Sequence, residues 1–276
     1  MKTAELKQKA LSVRLIALNA IQKSGVLGVG AAMSSVEILV SLYFGDINMK
    51  QVLSVSPFKP GWDGQDYFVL GKGEATPVLY AILADKGFFD ESELRFFSQV
   101  NSFLQARPFF KVPGICISTL SSSHALSQAL GIALALKSEK KNNNVFCMID
   151  ACDFQNGQIF EAMTVASHHK LNNLIMIVDD SSLQSEGPIR SVVDVGFLQN
   201  KIDSFGWQVY RVVDGHDFDE IINAFSKSLN VVRRPVCIWC NTVTGKGISL
   251  LEGKEGYFNA PLSENEYNLI SQSLKG

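Results

Sequence analysis

The second half of the chain alternates between short apolar runs and helical patterns, and this alternation constrains the fold most strongly. The apolar runs read VFCMI, LIMIVDD, WQVYRVVDG and PVCIWCNTV, and the segments between them space their apolar residues as helices do. Strands that alternate with helices are typical of a parallel sheet covered on both faces. The sequence therefore predicts an α/β fold with a doubly wound, mostly parallel sheet.

The first half of the chain supplies further helices and one strand. The opening residues form an amphipathic helical pattern, and a second helix, SSVEILVSLYFG, is expected to be capped by Ser34 or Ser35. YFVLGKGEA predicts a strand that runs into a glycine turn, TPVLYAILADKG a helix closed by Gly87, and ESELRFFSQV a further helix. Because no repeat or low-complexity linker interrupts the chain, we expect a single domain over residues 1–276.

Composition and charge exclude several classes of protein. The chain has 276 residues, of which 46% are hydrophobic and 19% charged, and this is typical of a globular protein. The net charge of −2 predicts neither a nucleic-acid partner nor an anionic membrane partner. No apolar run approaches the roughly 20 residues of a membrane span, and the opening helix lacks the apolar core of a signal peptide.

The cysteines indicate a reducing compartment. Their number is odd, at Cys116, Cys147, Cys152, Cys237 and Cys240, and no secretion signal is present, so we expect free thiols and a cytoplasmic location. The last two form a C-x-x-C pattern, which is compatible with a redox or metal site. A buried strand is the better interpretation, because VCIWC is apolar and no second pair of ligands exists.

The turn after the strand VFCMI is the first candidate for a functional site. In α/β folds ligands bind beyond the carboxyl ends of strands, where glycines allow close approach of the backbone. Here the turn contains Asp150, Ala151, Cys152 and Asp153 instead. The two aspartates also suit capping or turn chemistry at a strand-to-helix junction.

Five stretches carry a resemblance to a known family: SSVEILVSLYFG, FVLGKGEATPVLYAIL, GQIFEAMTVASHHKLNNLIMIVDD, FGWQVYRVVDGHD and TVTGKGISLLEG. Their order resembles the N-terminal, diphosphate-binding part of transketolase, roughly from Leu6 to Leu274. The resemblance implies the thiamine diphosphate-binding fold, and in some organisms this part is a separate subunit of about this length. It also implies thiamine diphosphate with Mg²⁺ or Ca²⁺ as cofactors and transfer of a two-carbon ketol unit between sugar phosphates. A second domain supplies the other half of such a site.

The family's metal ligands are an Asp in a GDG turn and an Asn about thirty residues later. Matched without a gap, GDG falls on Asp150, Ala151 and Cys152, and the Asn falls on Ser181. The metal carboxylate is therefore replaced by an alanine without a donor oxygen, and the amide by a shorter hydroxyl. In an alternative register Asp150 is itself the metal ligand, with one residue inserted before Gly157. Asp150 and Ser181 remain the weak metal candidates.

The family's substrate-facing histidines are replaced as well. By the same resemblance, Val26, Glu74, Arg107 and Phe258 stand at the four histidine positions. Valine and phenylalanine cannot shuttle a proton near neutral pH, which is the role an imidazole serves. Glu74 can act as a base, but its charge would repel phosphates.

The glycine-rich loop of the family is replaced by residues 119–125, TLSSSHA. Leu120 and Ala125 add side chains where the family brings backbone close to the cofactor. Ser121 is a degenerate cofactor-binding position, as are Asp150, Asp153 and Ser181. His124 either binds a ligand or begins a helix with a polar partner.

The remaining histidines have structural explanations. His168 and His169 follow a predicted helix and are expected to be solvated there, where a helix end favours a cation. His216 lies in VDGHD, at a turn after a strand, and we expect it to be structural.

The resemblance implies a transketolase-like N-terminal subunit that has lost the usual thiamine diphosphate and Mg²⁺ ligands. We expect it to be non-catalytic or repurposed, and to pair with a C-terminal transketolase-like subunit in a heterodimer or heterotetramer. Two alternatives stay open. One is the working half of a split transketolase, and the other is an altered enzyme that binds a different ligand through the catalytic candidates Glu74, Arg107 and His124.

Overall fold

The computed structural model describes residues 1–275, and a central parallel sheet organises them. Ten helices are present among these residues: α1 Thr3–Ser24, α2 Val29–Met33, α3 Val36–Phe44, α4 Thr76–Asp85, α5 Ser122–Ser138, α6 Gly157–His168, α7 Ile189–Val192, α8 Leu198–Ser204, α9 Phe218–Ser228 and α10 Glu264–Lys275. Short 3₁₀ turns cover Gly73–Ala75, Glu91–Phe96, Ala151–Gln155 and Glu255–Tyr257.

Five strands form the main sheet, and all neighbouring pairs are parallel. The strands in chain order are β1 Asp46–Ile47, β2 Lys50–Gln51, β3 Tyr67–Leu70, β4 Val145–Asp150, β5 Leu174–Asp180, β6 Leu183–Gln184, β7 Gly187–Pro188, β8 Gln208–Val212 and β9 Val236–Asn241. The main sheet has the order β3-β4-β5-β9-β8, while β1-β2 and β6-β7 are small antiparallel pairs. The predicted doubly wound α/β fold is confirmed.

The sheet separates two hydrophobic cores. One face carries α1, α3, α4 and α9, and it packs against strand residues such as Phe146 and Ile177. The other face carries α5, α6 and α8, and it packs against residues such as Cys147 and Val178. Because neighbouring residues of a strand point to opposite faces, these strands are apolar on both sides and read as continuous apolar runs.

Two predictions about local structure were wrong in detail. Ser35 precedes α3, but neither its hydroxyl nor that of Ser34 caps the helix, because both donate to a carboxylate across the fold. The helix expected at ESELRFFSQV is only the 3₁₀ turn Glu91–Phe96. The chain cannot continue as a helix there, since Ser98 adopts a left-handed φ of 57°.

The C-x-x-C pattern is part of a buried strand, as expected. Cys237 and Cys240 lie in β9, are fully buried and form no disulfide. Burial raises the pKa of both thiols, which keeps them protonated and unsuited to metal binding or redox exchange. Within residues 1–275, no helix combines the length and the apolar character that crossing a membrane requires.

The N-cap of α9 gives a test of how the last βαβ unit is stabilised. Asp217 accepts hydrogen bonds from the backbone N–H groups of Asp219 and Glu220. We expect Asp217→Ala to lower the free energy of unfolding by about 1 kcal/mol, measured by urea denaturation. Asp63→Ala removes an exposed carboxyl outside any helix and should leave the unfolding midpoint almost unchanged. Equal effects of the two substitutions would contradict the role of the cap.

Candidate functional site

A fully buried lysine lies where β3, β4 and β5 end. Lys72 follows β3 by two residues, and its Nζ is 2.8 Å from Oδ2 of Asp150 and 2.8 Å from Oδ2 of Asp179. These carboxyls belong to the last residue of β4 and the end of β5, and the two aspartates are register partners. Two carboxylates side by side in the interior require a cation, and Lys72 supplies it. We call Lys72, Asp150 and Asp179 the Lys72 cluster.

Asp179 is the best-satisfied carboxylate of the Lys72 cluster. Its Oδ2 accepts hydrogen bonds from Ser34 Oγ and Ser35 Oγ, both at 2.9 Å, as well as from Lys72. Its Oδ1 accepts from the hydroxyl of Thr242, which follows β9. One side chain therefore joins the start of α3, the end of β3 and the loop after β9.

The charges within the Lys72 cluster decide its protonation. Burial by itself would lower the pKa of Lys72, but the carboxylates of Asp150 and Asp179 outweigh it and raise that pKa above its ordinary value. Burial would likewise raise the pKa of Asp179, and the positive charge of Lys72 with the hydroxyl donors lowers it instead. Burial raises the pKa of Asp150, and Lys72 only partly opposes this effect. Lys72 and Asp179 are thus the firmly ionised pair.

Asp150 and Asp153 form the turn after β4, as the capping interpretation predicted. Asp150 Oδ1 accepts from the N–H of Cys152 at 3.0 Å, and Asp153 Oδ2 accepts from the N–H of Asp150 at 2.9 Å. The remaining oxygen of Asp150, Oδ2, touches Lys72 without hydrogen-bond geometry. Burial and the neighbouring charge of Asp150 raise the pKa of Asp153 to about 6.

Glu74 and Arg107 form an ion pair in front of the Lys72 cluster. Arg107 Nη2 lies 3.2 Å from Glu74 Oε1, and the side chains of Arg107 and Glu74 are 44% and 31% exposed, respectively. The guanidinium of Arg107 covers Gly73, where a Cβ atom would lie 1.4 Å from Nη1, and Glu74 packs over Gly28. Two of the three catalytic candidates are therefore in contact and largely neutralise each other.

His124, the third catalytic candidate, is exposed in the first turn of α5. No hydrogen bond or ion pair to its side chain is present among residues 1–275. Its convergence with Glu74 and Arg107 stays a prediction. Nearby, Ser121 precedes α5 and its hydroxyl lies 3.0 Å from that of Ser123.

The other two positions at which the family has histidines are apolar. Val26 is half-buried against the first core. Phe258 is buried, and its ring centroid lies 6.0 Å from Nζ of Lys72, so it contributes a weak cation–π contact to the cluster. Neither side chain can exchange a proton with a ligand.

His216 is structural, as expected. Its Nδ1 lies 3.0 Å from Glu37 Oε2, and its Nε2 accepts from the N–H of Val243. Since Nε2 is the acceptor, Nδ1 carries the proton and donates to Glu37. Glu37 also pairs with the buried guanidinium of Arg14. His168 and His169, at the end of α6, are exposed.

The donor set at this edge does not fit a divalent ion with a diphosphate. Ala151 is buried and has no donor atom, and the carboxyl of Asp150 faces Lys72. Among the described residues, Ser181 Oγ is buried without a hydrogen-bond partner, whereas the Oδ2 of Asp150, which also lacks a hydrogen bond, lies 2.8 Å from the charge of Lys72. No group of three or more His, Cys, Asp or Glu side chains that could hold a metal ion exists within the described residues. Mg²⁺ normally requires more oxygen ligands than this.

Sequence reasoning missed Lys72, Asp179, Ser34, Ser35 and Thr242 as members of one site. A signal was present, because a lysine two residues after an apolar strand is unusual in a segment that is otherwise buried. Its partners lie up to 107 residues away in the chain. Their meeting depends on strand order and register, which residue spacing does not give.

Replacing the buried lysine tests the Lys72 cluster. Lys72→Met leaves two carboxyls buried without a cation, so we expect it to lower the free energy of unfolding by about 3–5 kcal/mol at pH 7. The loss should shrink toward pH 4, because the unpaired carboxyls can then take up protons. Urea denaturation at both pH values measures the effect. Lys141→Met, at an exposed pair with Glu139, is the control and should cost little. A small or pH-independent loss in Lys72→Met would show that the cluster does not hold its charges as described.

The raised pKa of Asp153 gives a second test. The pKa is about 6 in the folded protein and 3.8 ordinarily, so folding favours the protonated form. This contribution to stability is present in full below about pH 4 and is lost as the pH rises through 6. Relative to Asp153→Asn, the wild type should therefore gain about 2–3 kcal/mol between pH 7 and pH 4. Asp63→Asn controls for the amide substitution, and a flat difference for Asp153→Asn would refute the assignment.

Comparison with known proteins places this geometry in a family. Residues 6–275 match the family described as transketolase, thiamine diphosphate binding domain. The 6-deoxy-6-sulfo-D-fructose transketolase subunit SqwG of Clostridium sp. (strain MSTE9) is 33% identical over 98% of this chain and 96% of its own length. An apulose-4-phosphate transketolase subunit of Phocaeicola vulgatus is 29% identical over 92% of this chain and 87% of its own length.

Full transketolases are similar over only part of their length. Human transketolase is 31% identical over 99% of this chain, which spans 42% of the human protein. The crystal structure of transketolase from Campylobacter jejuni matches with a TM-score of 0.90 and 26% identity, over 100% of this chain and 43% of that one. The sheet order, the whole-length match and the resemblance of the motifs agree, and the chain belongs to the transketolase family, in the part matched by the family's N-terminal domain.

Proposed function

We propose that this chain is the N-terminal subunit of a two-chain transketolase-type assembly and does not bind thiamine diphosphate with Mg²⁺ in the usual way. In this proposal the subunit is non-catalytic or repurposed, and its stability comes from internal charge compensation. The observation that carries the proposal is that Ala151, aligned with the family's metal carboxylate, is buried and has no donor oxygen, while the neighbouring Asp150 faces Lys72 Nζ at 2.8 Å. The cation at this strand edge belongs to the protein itself.

The charge balance of the edge supports the proposal. Asp150, Asp153, Asp179 and Glu74 carry carboxyls there, and Lys72 and Arg107 carry the opposing charges. A diphosphate would add about three negative charges, which need a metal ion for neutralisation. The position aligned with the metal carboxylate is Ala151, which offers no ligand. Binding of the diphosphate at this edge would therefore be electrostatically unfavourable.

The pairing of the chain with a C-terminal transketolase-like subunit rests on two relatives of nearly this length, both named as transketolase subunits. Exposed apolar side chains at the carboxyl side of the fold, among them Leu120 and Phe110, support such an interface. A heterodimer or heterotetramer is proposed, and a cytoplasmic location is proposed from five unpaired thiols.

Calorimetric titration tests the cofactor proposal. Thiamine diphosphate with Mg²⁺ is titrated into the purified chain, alone and together with its C-terminal partner. We expect no binding with a dissociation constant below about 1 mM, which corresponds to roughly −4 kcal/mol. Binding in the micromolar range by the assembled pair would refute the proposal.

A repaired variant shows whether the substituted residues cause the loss. Asp150→Gly, Ala151→Asp, Cys152→Gly and Ser181→Asn together rebuild the metal signature inferred from the family. If the missing ligands are the cause, the variant should bind the cofactor at least about tenfold more tightly than the wild type, a change of about 1.4 kcal/mol. The same variant with alanine kept at position 151 is the control, because it lacks only the central metal carboxylate.

The alternative function is the working half of a split transketolase. Two observations favour it: the two relatives that are transketolase subunits, and the unpartnered hydroxyl of Ser181. Ketol transfer from xylulose 5-phosphate by the reconstituted pair would establish this alternative. If the pair is shown to assemble but transfers no ketol unit, this alternative is excluded for that substrate.

A further inference from the structure

A cavity of about 300 Å³ opens at the carboxyl edge of the sheet, on the face opposite the Lys72 cluster. Successive strand residues point to opposite faces, so Asp150 and Asp179 point to one side and Ala151 and Asp180 to the other. The contacts agree with this, because Oδ2 of Asp180 accepts a hydrogen bond from Nε1 of Trp239, which belongs to the second core. The cavity is large enough for a small molecule.

The floor and walls of this cavity are mainly apolar. Ala151 and Trp239 are both buried and form the floor. The segment 188–200, which includes α7 and the start of α8, supplies the walls, with Ile189 and Val195 among them. Phe197 is 73% exposed and stands at the rim. Such a lining accommodates the apolar body of a ligand.

Ala151 links the cavity to the lost metal signature. This residue stands where the family resemblance places the metal carboxylate, and its side chain lines the cavity. A longer side chain at this position would project into the space. The substitution that removes a metal ligand therefore also leaves room on the other face of the sheet.

The two carboxylates that line the cavity already accept hydrogen bonds from the protein. Asp180 Oδ1 accepts from the N–H of Ser182 at 2.9 Å, and its Oδ2 accepts from Trp239 Nε1 at 3.1 Å. Asp194 Oδ1 accepts from the N–H of Gly196 at 2.8 Å. Both carboxylates thus accept hydrogen bonds from donors within the protein, and these bonds stabilise the loops at Ser182 and Gly196.

The two guanidinium groups that line the cavity lack such hydrogen bonds among the described residues. Within the part of the chain that the structure describes, Arg190 and Arg211 make no side-chain hydrogen bond or ion pair. The guanidinium carbon of Arg190 lies 5.7 Å from the ring centroid of Phe197. The free donors of the cavity are therefore positively charged, and a guanidinium suits a planar carboxylate or a phosphate.

We propose that this cavity binds a small organic anion with an apolar body. Arg190 and Arg211 receive the carboxylate or phosphate head, and Trp239 with Phe197 contacts the body. The guanidinium groups, which lack hydrogen-bond partners within residues 1–275, favour an anionic head, and the apolar lining accommodates the body. The proposed ligand lies on the face opposite the Lys72 cluster and requires no metal.

Calorimetry on the full chain with matched probes tests the charge selectivity. The probes are 3-phenylpropionate, 3-phenylpropanamide and 3-phenylpropylamine, which share one apolar body, and phenyl phosphate, which tests the other head group. We expect at least one of the two anions to bind with a dissociation constant below about 1 mM, and at least about tenfold more tightly than the amide and the amine. Binding of 3-phenylpropionate would show that the site accepts a carboxylate head, and binding of phenyl phosphate that it accepts a phosphate head. No binding of either anion at concentrations up to about 10 mM, or equal binding of amide and anion, would overturn the proposal.

Substitutions test whether the cavity is the site. Arg190→Gln with Arg211→Gln should weaken anion binding at least about tenfold, because both charged donors are lost. Arg95→Gln is a matched control, since Arg95 lies 4.6 Å over Phe96 in the same kind of contact outside the cavity. Circular dichroism checks that each variant is folded. Unchanged binding in the double variant, or an equal loss in Arg95→Gln, would refute the assignment.

A second pair of substitutions addresses the apolar wall. Phe197→Ala should weaken binding several-fold, roughly as expected for loss of one aromatic contact. Phe58→Ala removes a ring that is 86% exposed and lies outside the cavity, so binding should be unchanged. Equal affinities in the two variants would place the ligand elsewhere. The probes contain neither thiamine diphosphate nor Mg²⁺, so these outcomes are interpreted separately from the cofactor titration.

Discussion

The compensation of one buried charge is the constraint on which the carboxyl edge of this protein depends. The ammonium of Lys72 has no access to solvent, and the interior tolerates it only because Asp150 and Asp179 approach within 2.8 Å. The same contact solves the opposite problem, since two register-matched carboxylates on neighbouring strands would otherwise repel each other. Serine and threonine hydroxyls from the start of α3 and the loop after β9 complete the arrangement.

This compensation fixes the ends of three strands on that face. Asp179 uses both oxygens in internal hydrogen bonds, and Asp150 is tied to its own turn and to Lys72. The family scaffold is thus preserved in strand order and helix placement, while the groups at the strand ends serve the fold. A scaffold shared with transketolases does not by itself establish their chemistry, because function depends on the groups of the site.

The two faces of the carboxyl edge differ in how their polar groups are used. On the face with the Lys72 cluster, the cation and the two carboxylates compensate each other's charge. On the opposite face, the small side chain of Ala151 leaves space, and the guanidinium groups of Arg190 and Arg211 make no hydrogen bond or ion pair among the described residues. A turn of a few residues after β4 therefore separates a closed polar network from an open, mainly apolar cavity. Ligand pockets are usually apolar cavities with a few polar groups that are available to the ligand, and the second face resembles such a pocket more closely than the first.

The amino-acid sequence by itself determined the α/β class, the alternation of strands and helices and the family, because these follow from local periodicity and from motifs of contiguous residues. It also located the turn from Asp150 to Asp153 and the exposed or structural histidines, since capping and turn chemistry act over a few residues. Only the tertiary structure decided that Lys72 meets Asp179, that the hydroxyls of Ser34 and Ser35 donate to Asp179 and do not cap α3, and that Ala151 borders a cavity. Those outcomes depend on strand order, on register and on the face of the sheet to which a side chain points. A shift of the register by one residue would move the side chains of a strand to the opposite face.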